Sequence, residues 1–410
     1  MSTVVVGTRA TRRAAIALGL LALSVIGAPA AQAREQTTWL ISRAKDGGLP
    51  NGPSTNAVIS NDRRYARVIA FQSEASDLVS GDGNGQQDVF AIKRGGSFGN
   101  DGSPWEPGGT LLISRGRGGE GANGRSWGAS VDGSFTTKAS CVAFLSDASN
   151  LVSGDTNGKT DAFVSRGPGG APARVSLPGG SQSGADTTGV AVSGDCKRIA
   201  FVTGGKLYVR RGKKIKKLGK GSDPSWSTGK AAESDLVYTG SGGVRLSRGG
   251  RKRGKLVGPD GSNPAYNNVK RKVLAYEQHR GGATQIVVKD LGTGDQVATK
   301  AGGDVGNGSS RDPVIGNSGF YVSFESDASN LVTDASGRRN DDNGASDVYL
   351  FTDVRNLTLR ESVAADGSGV AGGGSNPSMS FYANYIVFDS PAPLGGNGPR
   401  QIFMRWLGSV

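Results

Sequence analysis

One short pattern, apolar then small then aromatic, occurs seven times along the chain and leaves it few possible folds. It reads Val68-Ile69-Ala70-Phe71, Cys141-Val142-Ala143-Phe144, Arg198-Ile199-Ala200-Phe201 and Asp235-Leu236-Val237-Tyr238. It continues as Val273-Leu274-Ala275-Tyr276, Tyr321-Val322-Ser323-Phe324 and Tyr385-Ile386-Val387-Phe388. Successive closing aromatics stand 37 to 73 residues apart. The short intervals lie near the roughly 40-residue period of a four-stranded propeller blade, and the long ones leave room for loop insertions.

Four units open on an Asn/Asp-Pro step, at Asp223-Pro224-Ser225, Asn263-Pro264-Ala265, Asp312-Pro313-Val314 and Asn376-Pro377-Ser378. The apolar run follows and is read as the inner strand. Outer strands such as Leu207-Tyr208-Val209, Gln285-Ile286-Val287-Val288 and Leu111-Leu112-Ile113-Ser114-Arg115 come next. Continuous apolar runs fit strands covered on both faces by stacked neighbouring sheets. The chain is therefore expected to be all-β, a single propeller of about seven four-stranded blades over residues 37–410. The compressed spacing of blades three to five also admits six or eight.

Closure of the ring is legible as well. Thr38-Trp39-Leu40-Ile41-Ser42-Arg43 matches Thr110-Leu111-Leu112-Ile113-Ser114-Arg115, yet no blade precedes it. The seventh unit ends at Gln401-Ile402-Phe403-Met404-Arg405-Trp406, a third strand without a fourth. Residues 38–43 are expected to complete blade seven, which would remove the free sheet edges.

Before the propeller, residues 1–33 read as a secretory signal peptide. Arg9, Arg12 and Arg13 form a positive n-region, the apolar run from Ala14 to Ala28 is too short to span a bilayer, and Ala31-Gln32-Ala33 offers a cleavage site. Arg12-Arg13 raises twin-arginine export, but the residues after the pair fit general secretion better. No later segment is apolar enough for a membrane span, so a secreted, periplasmic or cell-envelope monomer is expected. Cys141 and Cys196, the two cysteines, each precede or open an apolar run of consecutive blades, and in an exported chain they suit a disulfide.

Net charge is +13, and loss of the three signal-peptide arginines leaves +10. The basic residues gather at 210–220 (Arg210, Arg211, Lys213, Lys214, Lys216, Lys217, Lys220), at 248–255 (Arg248, Arg251, Lys252, Arg253, Lys255) and at 270–272. This sector, 210–272, could take an anionic envelope polymer, or could simply be a solvated face. Few aromatics interleave it, which argues against single-stranded nucleic acid.

Three blades share an acidic loop: Asp82-Gly83-Asn84-Gly85-Gln86-Gln87-Asp88, Asp155-Thr156-Asn157-Gly158-Lys159-Thr160-Asp161 and Asp341-Asp342-Asn343-Gly344-Ala345-Ser346-Asp347. Asp82, Asn84 and Asp88, with Asp155, Asn157, Asp161 and Asp341, Asn343, Asp347, present oxygens around a glycine turn, as a weak Ca²⁺ site would. The position two residues earlier is Ser80, Ser153 or Arg339 rather than a carboxylate. The other reading is purely structural: Asn-Gly makes the turn, the first Asp caps it and the last begins a strand. Blade seven keeps Asn397-Gly398 but ends in Gln401.

The stretch from Phe144-Leu145-Ser146-Asp147-Ala148-Ser149-Asn150-Leu151-Val152 through Asp161-Ala162-Phe163-Val164 has counterparts around 71–91 and 324–350. On these residues the chain resembles the TolB-like branch of the WD-repeat-like propellers, in particular secreted bacterial members. The resemblance runs through residues 38–406 as a repeat pattern, with three blades matching strongly. It implies the fold and export, and implies little about activity.

Catalytic sets are sparse. His279 is the sole histidine and reads as a surface residue; no nucleophile elbow, zinc spacing or phosphate loop is present. The function expected is a non-catalytic binding module at the envelope or outside the cell, partnered by a protein or polysaccharide. Two alternatives stay open: a propeller enzyme (lyase, lactonase or glycosidase) with its site at the channel mouth, and an electrostatic polymer binder.

Overall fold

Seven four-stranded antiparallel sheets make up a computed structural model that describes residues 38–407, apart from 63–64, 97–104, 168, 231–233, 270, 295, 299, 302–303, 317–318, 333–340, 342, 353–356 and 365–366. The signal peptide expected at 1–33 and Lys270 of the basic sector lie outside the described residues. Among the described residues no helix is long and apolar enough to cross a membrane.

In six sheets the strands follow one another in sequence order. The seventh is composite: the first strand of the chain, Thr38–Leu40, pairs antiparallel with Arg400–Trp406, with Trp39 opposite Met404. The first and last described strands are thus paired with each other, as the expected closure requires. The count is seven blades, which settles the choice among six, seven and eight. An extra two-stranded ribbon, Lys300–Ala301 with Asp304–Val305, follows blade five.

One expectation is corrected by the sheet order. The apolar runs, such as Val68–Ser73 and Cys141–Ser146, are the second strands of their blades. The innermost strands are the stretches read as preceding them: Ser54–Ile59, Ser126–Val131, Thr187–Val192, Ser222–Trp226, Gly261–Asn267, Ser310–Ile315 and Ser375–Met379. Innermost strands line the channel, so they are only partly covered and carry small and polar residues. The second strands lie between layers of both adjacent blades and are buried over most of their apolar runs, which is why the apolar signal belongs to them.

In five blades the closing aromatic of the second strand stacks on an aromatic directly opposite in the third strand; in blades four and five Tyr238 faces Arg245 and Tyr276 faces Val287. Phe71–Phe90, Phe144–Phe163, Phe201–Tyr208, Phe324–Tyr349 and Phe388–Phe403 have centroids 5.3 to 6.3 Å apart. Cross-strand aromatic pairs of this kind add stability beyond the area they bury, and they pin the register. Cys141 and Cys196 form a disulfide between blades two and three, with their Cα atoms 6.2 Å apart.

Candidate functional site

Every innermost strand is interrupted by a bulge in its pairing with the second strand. Six of the seven bulges hold a residue in the left-handed region: Asn56, Gly128, Asp223, Asn263, Asp312 and Asn376, with φ between 45° and 63°. Gly, Asn and Asp tolerate that conformation best, which explains the Asn/Asp-Pro steps that open the repeats. Together these bulges form a polar ring at one mouth of the channel, on the face where the acidic loops lead into the third strands. The register places them there, since Ser54 pairs with Ser73 and Ser73 with Asp88.

The bulge amides are held by the preceding blade. Gly128 N donates to Gln72 Oε1 at 3.3 Å, Asn263 N to Thr239 Oγ1 at 3.0 Å and Asp312 N to Glu277 Oε1 at 2.9 Å. Asn376 N donates to Glu325 Oε2 at 3.0 Å and Asn56 N to Asp389 Oδ1 at 3.3 Å. A glutamine, a threonine, two glutamates and an aspartate thus do the same work in different blades. Between blades five and six, Asn263 Nδ2 donates to both Glu277 Oε1 and Asp312 Oδ1, each at 2.8 Å. Burial pushes the Asp312 carboxyl up from its ordinary value, and the nearby Glu277 and Glu325 charges add to this.

Inside the ring lies a cavity of about 500 Å³ walled by Val58, Ala129, Val190, Ala265 and Val314. At the mouth a recess of about 340 Å³ brings half-buried Trp127 beside Asn56, Gln72, Asp312 and Asn376. On the opposite face, Phe135 from blade two stacks on Phe381 from blade seven at 5.6 Å, reaching past blade one. His279 is exposed on the second strand of blade five and is not among the residues lining the cavity or the recess.

The acidic loops lie in blades one, two and six and repeat one hydrogen-bond network. The last aspartate is fully buried in each. One of its oxygens accepts from a serine two residues beyond the fourth strand: Ser114 to Asp88, Ser176 to Asp161 and Ser362 to Asp347. That serine oxygen accepts in turn from the next backbone amide, Val89, Ala162 or Val348, at 2.9 Å. The other carboxylate oxygen accepts from the loop asparagine, Asn84, Asn157 or Asn343. Each asparagine also reaches a carbonyl ahead of the next blade, at Ala122, Ser183 or Val370.

The asparagine oxygens are engaged elsewhere. Backbone amides of Gln86, Lys159 and Ala345 donate to Asn84, Asn157 and Asn343 Oδ1. An amide N–H can only donate, so it fixes which end of the side chain is oxygen. Asn84, Asn157 and Asn343 thus each turn the NH₂ toward the carboxylate. Gln401 does both jobs alone in blade seven, accepting from Ser42 Oγ and donating to Gly52 O, each at 2.8 Å.

The aspartates differ among blades in a way that spacing did not reveal. In blade two, Arg174 NH1 lies 2.9 Å from Asp155 Oδ1 and 3.0 Å from Asp161 Oδ2. In blade six, Arg360 NH1 lies 3.5 Å from Asp341 Oδ1 and 3.3 Å from Asp347 Oδ2. Both arginines end their fourth strands. The corresponding residue of blade one is Leu112, and Asp88 there is pushed up to about 6 by burial, with the Asp82 charge adding to it. The sequence signal for this contrast was the residue two before the repeated serine, which was not read. A second unread signal was Asn-Gly ahead of three innermost strands. Asn51, Asn123 and Asn307 hydrogen-bond the Ser-Asp/Glu-Ala-Ser loop, and a Cβ on Gly308 would lie 2.6 Å from the Asp327 backbone.

The basic sector is divided. Arg210 and Arg211 donate to backbone carbonyls at Arg174 and Gly249, and Arg271 pairs with Asp290 at 2.9 Å. Lys214, Lys216, Lys217 and Lys220 stand exposed on the outermost strand of blade three, and Arg251, Lys252, Arg253 and Lys255 are exposed in blade four. Lysines on an outermost strand also discourage edge-to-edge pairing.

No family model matches the chain, and no curated protein matches it in sequence. Solved structures similar to it include a β-propeller domain. TolB from Acinetobacter baumannii is 15% identical, with 61% of this chain and 60% of that chain covered and a TM-score of 0.35. The β-propeller domain of the Trilobed protease from Pyrococcus furiosus is 7% identical, with 86% and 93% covered and a TM-score of 0.49. Pyrococcus horikoshii acylaminoacyl peptidase is 9% identical, with 86% and 51% covered and a TM-score of 0.48. The chain thus spans about 60% of that TolB's length and about half of the peptidase's.

Proposed function

We propose that the protein is an exported binding module that takes a polysaccharide or peptide segment at the polar mouth of its channel. The recess at Trp127 carries this reading. An indole face beside Asn56, Gln72, Asp312 and Asn376 offers an apolar surface with convergent amide and carboxylate groups, which suits a chain bearing C–H faces and hydroxyl or ammonium donors. Export is proposed from the charged and apolar pattern of residues 9–33 together with the Cys141–Cys196 disulfide.

The enzyme alternative would use the neighbouring carboxylates Glu277 and Asp312. Glu277 holds a bulge amide at a position that Gln72 and Thr239 serve equally well in other blades, and a role filled by an amide or a hydroxyl needs no acid chemistry. Binding is therefore preferred to catalysis.

Capture of envelope polysaccharide and peptide fractions on the immobilised chain tests the proposal, with Trp127→Ala and Lys216→Glu/Lys217→Glu compared at low and high salt. The expected result is capture that survives high salt and falls at least tenfold in Trp127→Ala. Capture abolished by salt and by the lysine changes, but not by Trp127→Ala, would move the function to the basic edge of blade three.

A further inference from the structure

Four blades present the same junction between the third and fourth strands, and in three of them no acidic pair stands without a cation. Blades two and six set an acidic pair against Arg174 or Arg360, and blade seven sets neutral Gln401 against Leu40. Blade one alone combines an acidic pair, Asp82 and Asp88, with an apolar residue, Leu112. Leu112 packs on the core between blades one and seven and supplies no charge.

The consequence is visible atom by atom. Oδ1 of Asp155 and Oδ1 of Asp341 are the atoms that meet the guanidinium nitrogen. The corresponding atom, Oδ1 of Asp82, is buried and has no hydrogen-bond partner among the described residues, in a residue only 7% exposed. A buried, unpaired carboxylate oxygen costs several kcal/mol unless a cation or proton meets it. Beside it the loop is open to water: Gly83 is exposed, and a Cβ built on Gly83 or Gly85 would have nothing within 4 Å.

We infer that the blade-one loop binds a single calcium ion between the carboxylates of Asp82 and Asp88, where an arginine nitrogen sits in blades two and six. Two carboxylates balance the charge of a divalent ion, and calcium accepts a loose oxygen shell completed by water. Two protein ligands place its affinity in the weak, extracellular range of about 10⁻⁴–10⁻³ M. The arginines are internal replacements for the ion, so the other two acidic loops bind none. The site is independent of what the channel mouth binds.

Calcium titration of the full chain by calorimetry, paired with thermal melts in calcium and in chelator, decides the matter. One site per chain and a rise in Tm with calcium are expected. Leu112→Arg should abolish both the heat and the calcium-dependent Tm rise while matching the wild type in chelator. Asp82→Asn, which keeps a turn-forming side chain, should also lose binding, and Arg174→Leu should raise the stoichiometry to two. No heat at saturating calcium, three sites per chain, or a stoichiometry unchanged in both Leu112→Arg and Asp82→Asn would overturn the inference. So would a Tm rise reproduced by sodium chloride at matched ionic strength, or a site that responds only to acidification.

Discussion

Replacing Arg405 with methionine probes the joint that closes the ring. Arg405 lies on the third strand of blade seven; its Nε donates to Glu361 Oε2 at 2.7 Å and its NH1 to Thr38 Oγ1 at 3.1 Å. Thr38 Oγ1 donates onward to the Val363 carbonyl at 3.1 Å, so the two chain ends and the exit from blade six meet in one network. The side chains of Arg405 and Glu361 are 5% and 2% exposed. Burial pushes the Glu361 carboxyl up, and Arg405 opposes that by its charge and its hydrogen bond.

Removing the arginine leaves the burial cost without compensation, so Arg405→Met should lose about 3–5 kcal/mol of stability. The double variant Arg405→Met/Glu361→Leu removes both charges and should recover most of the loss, because apolar replacement of a buried pair is often neutral or better. The pH dependence has a definite sign. Glu361 holds its proton more tightly folded than unfolded, so the folded state binds more protons and stability falls as pH rises through that window. The Arg405→Met deficit should therefore shrink as pH is lowered from about 7 to about 5. Denaturant unfolding followed by tryptophan fluorescence at both pH values measures all three variants. A loss under about 1 kcal/mol, a deficit equal at both pH values, or a double variant as unstable as the single would refute the reasoning.

Other junctions give independent tests. The Cys141–Cys196 bridge closes a loop of 55 residues, and replacing both cysteines with serine should cost about 4 kcal/mol by the loop-entropy relation, read as a lower denaturant midpoint. Ser176→Ala removes the donor to Asp161 and the acceptor for the Ala162 amide, so a loss of about 1–3 kcal/mol is expected by the same measurement. Gly308→Ala should destabilise by about 1–3 kcal/mol, since its Cβ meets backbone at 2.6 Å rather than a side chain that can move aside. In chelator, the Asp88 carboxyl at about 6 should make stability fall as pH rises from about 4 to about 6, and Leu112→Arg should flatten that slope; melts across pH report it.

Much of the architecture was legible because seven repeats report the same environment. A strand buried on both faces admits only apolar and small residues, so Val68–Phe71 and its six counterparts stand out. The orphan strand at 38–43 was legible because it copies residues 110–115, and a copy without its blade must pair elsewhere. The role of the Asn/Asp-Pro steps was not legible: a strand lining the channel is only partly covered and partly polar, and by composition it passes for a loop.

The acidic loops mark the limit more sharply. Their spacing alone is compatible with a metal loop and with a turn, because both require oxygens around a glycine. Three loops identical in pattern became two kinds of site only when the fourth strand folded beside them, carrying Arg174 and Arg360 into two and Leu112 into the third. The sequence by itself determined the repeat, the closure and the residues that turn each blade, since these follow from local periodicity. Which carboxylates are paired with a cation, and which oxygen of Asp82 is left facing none, was decided by the approach of residues 13 to 30 positions apart. Electrostatic balance depends on such distances in space, and the order of residues along a loop does not report them.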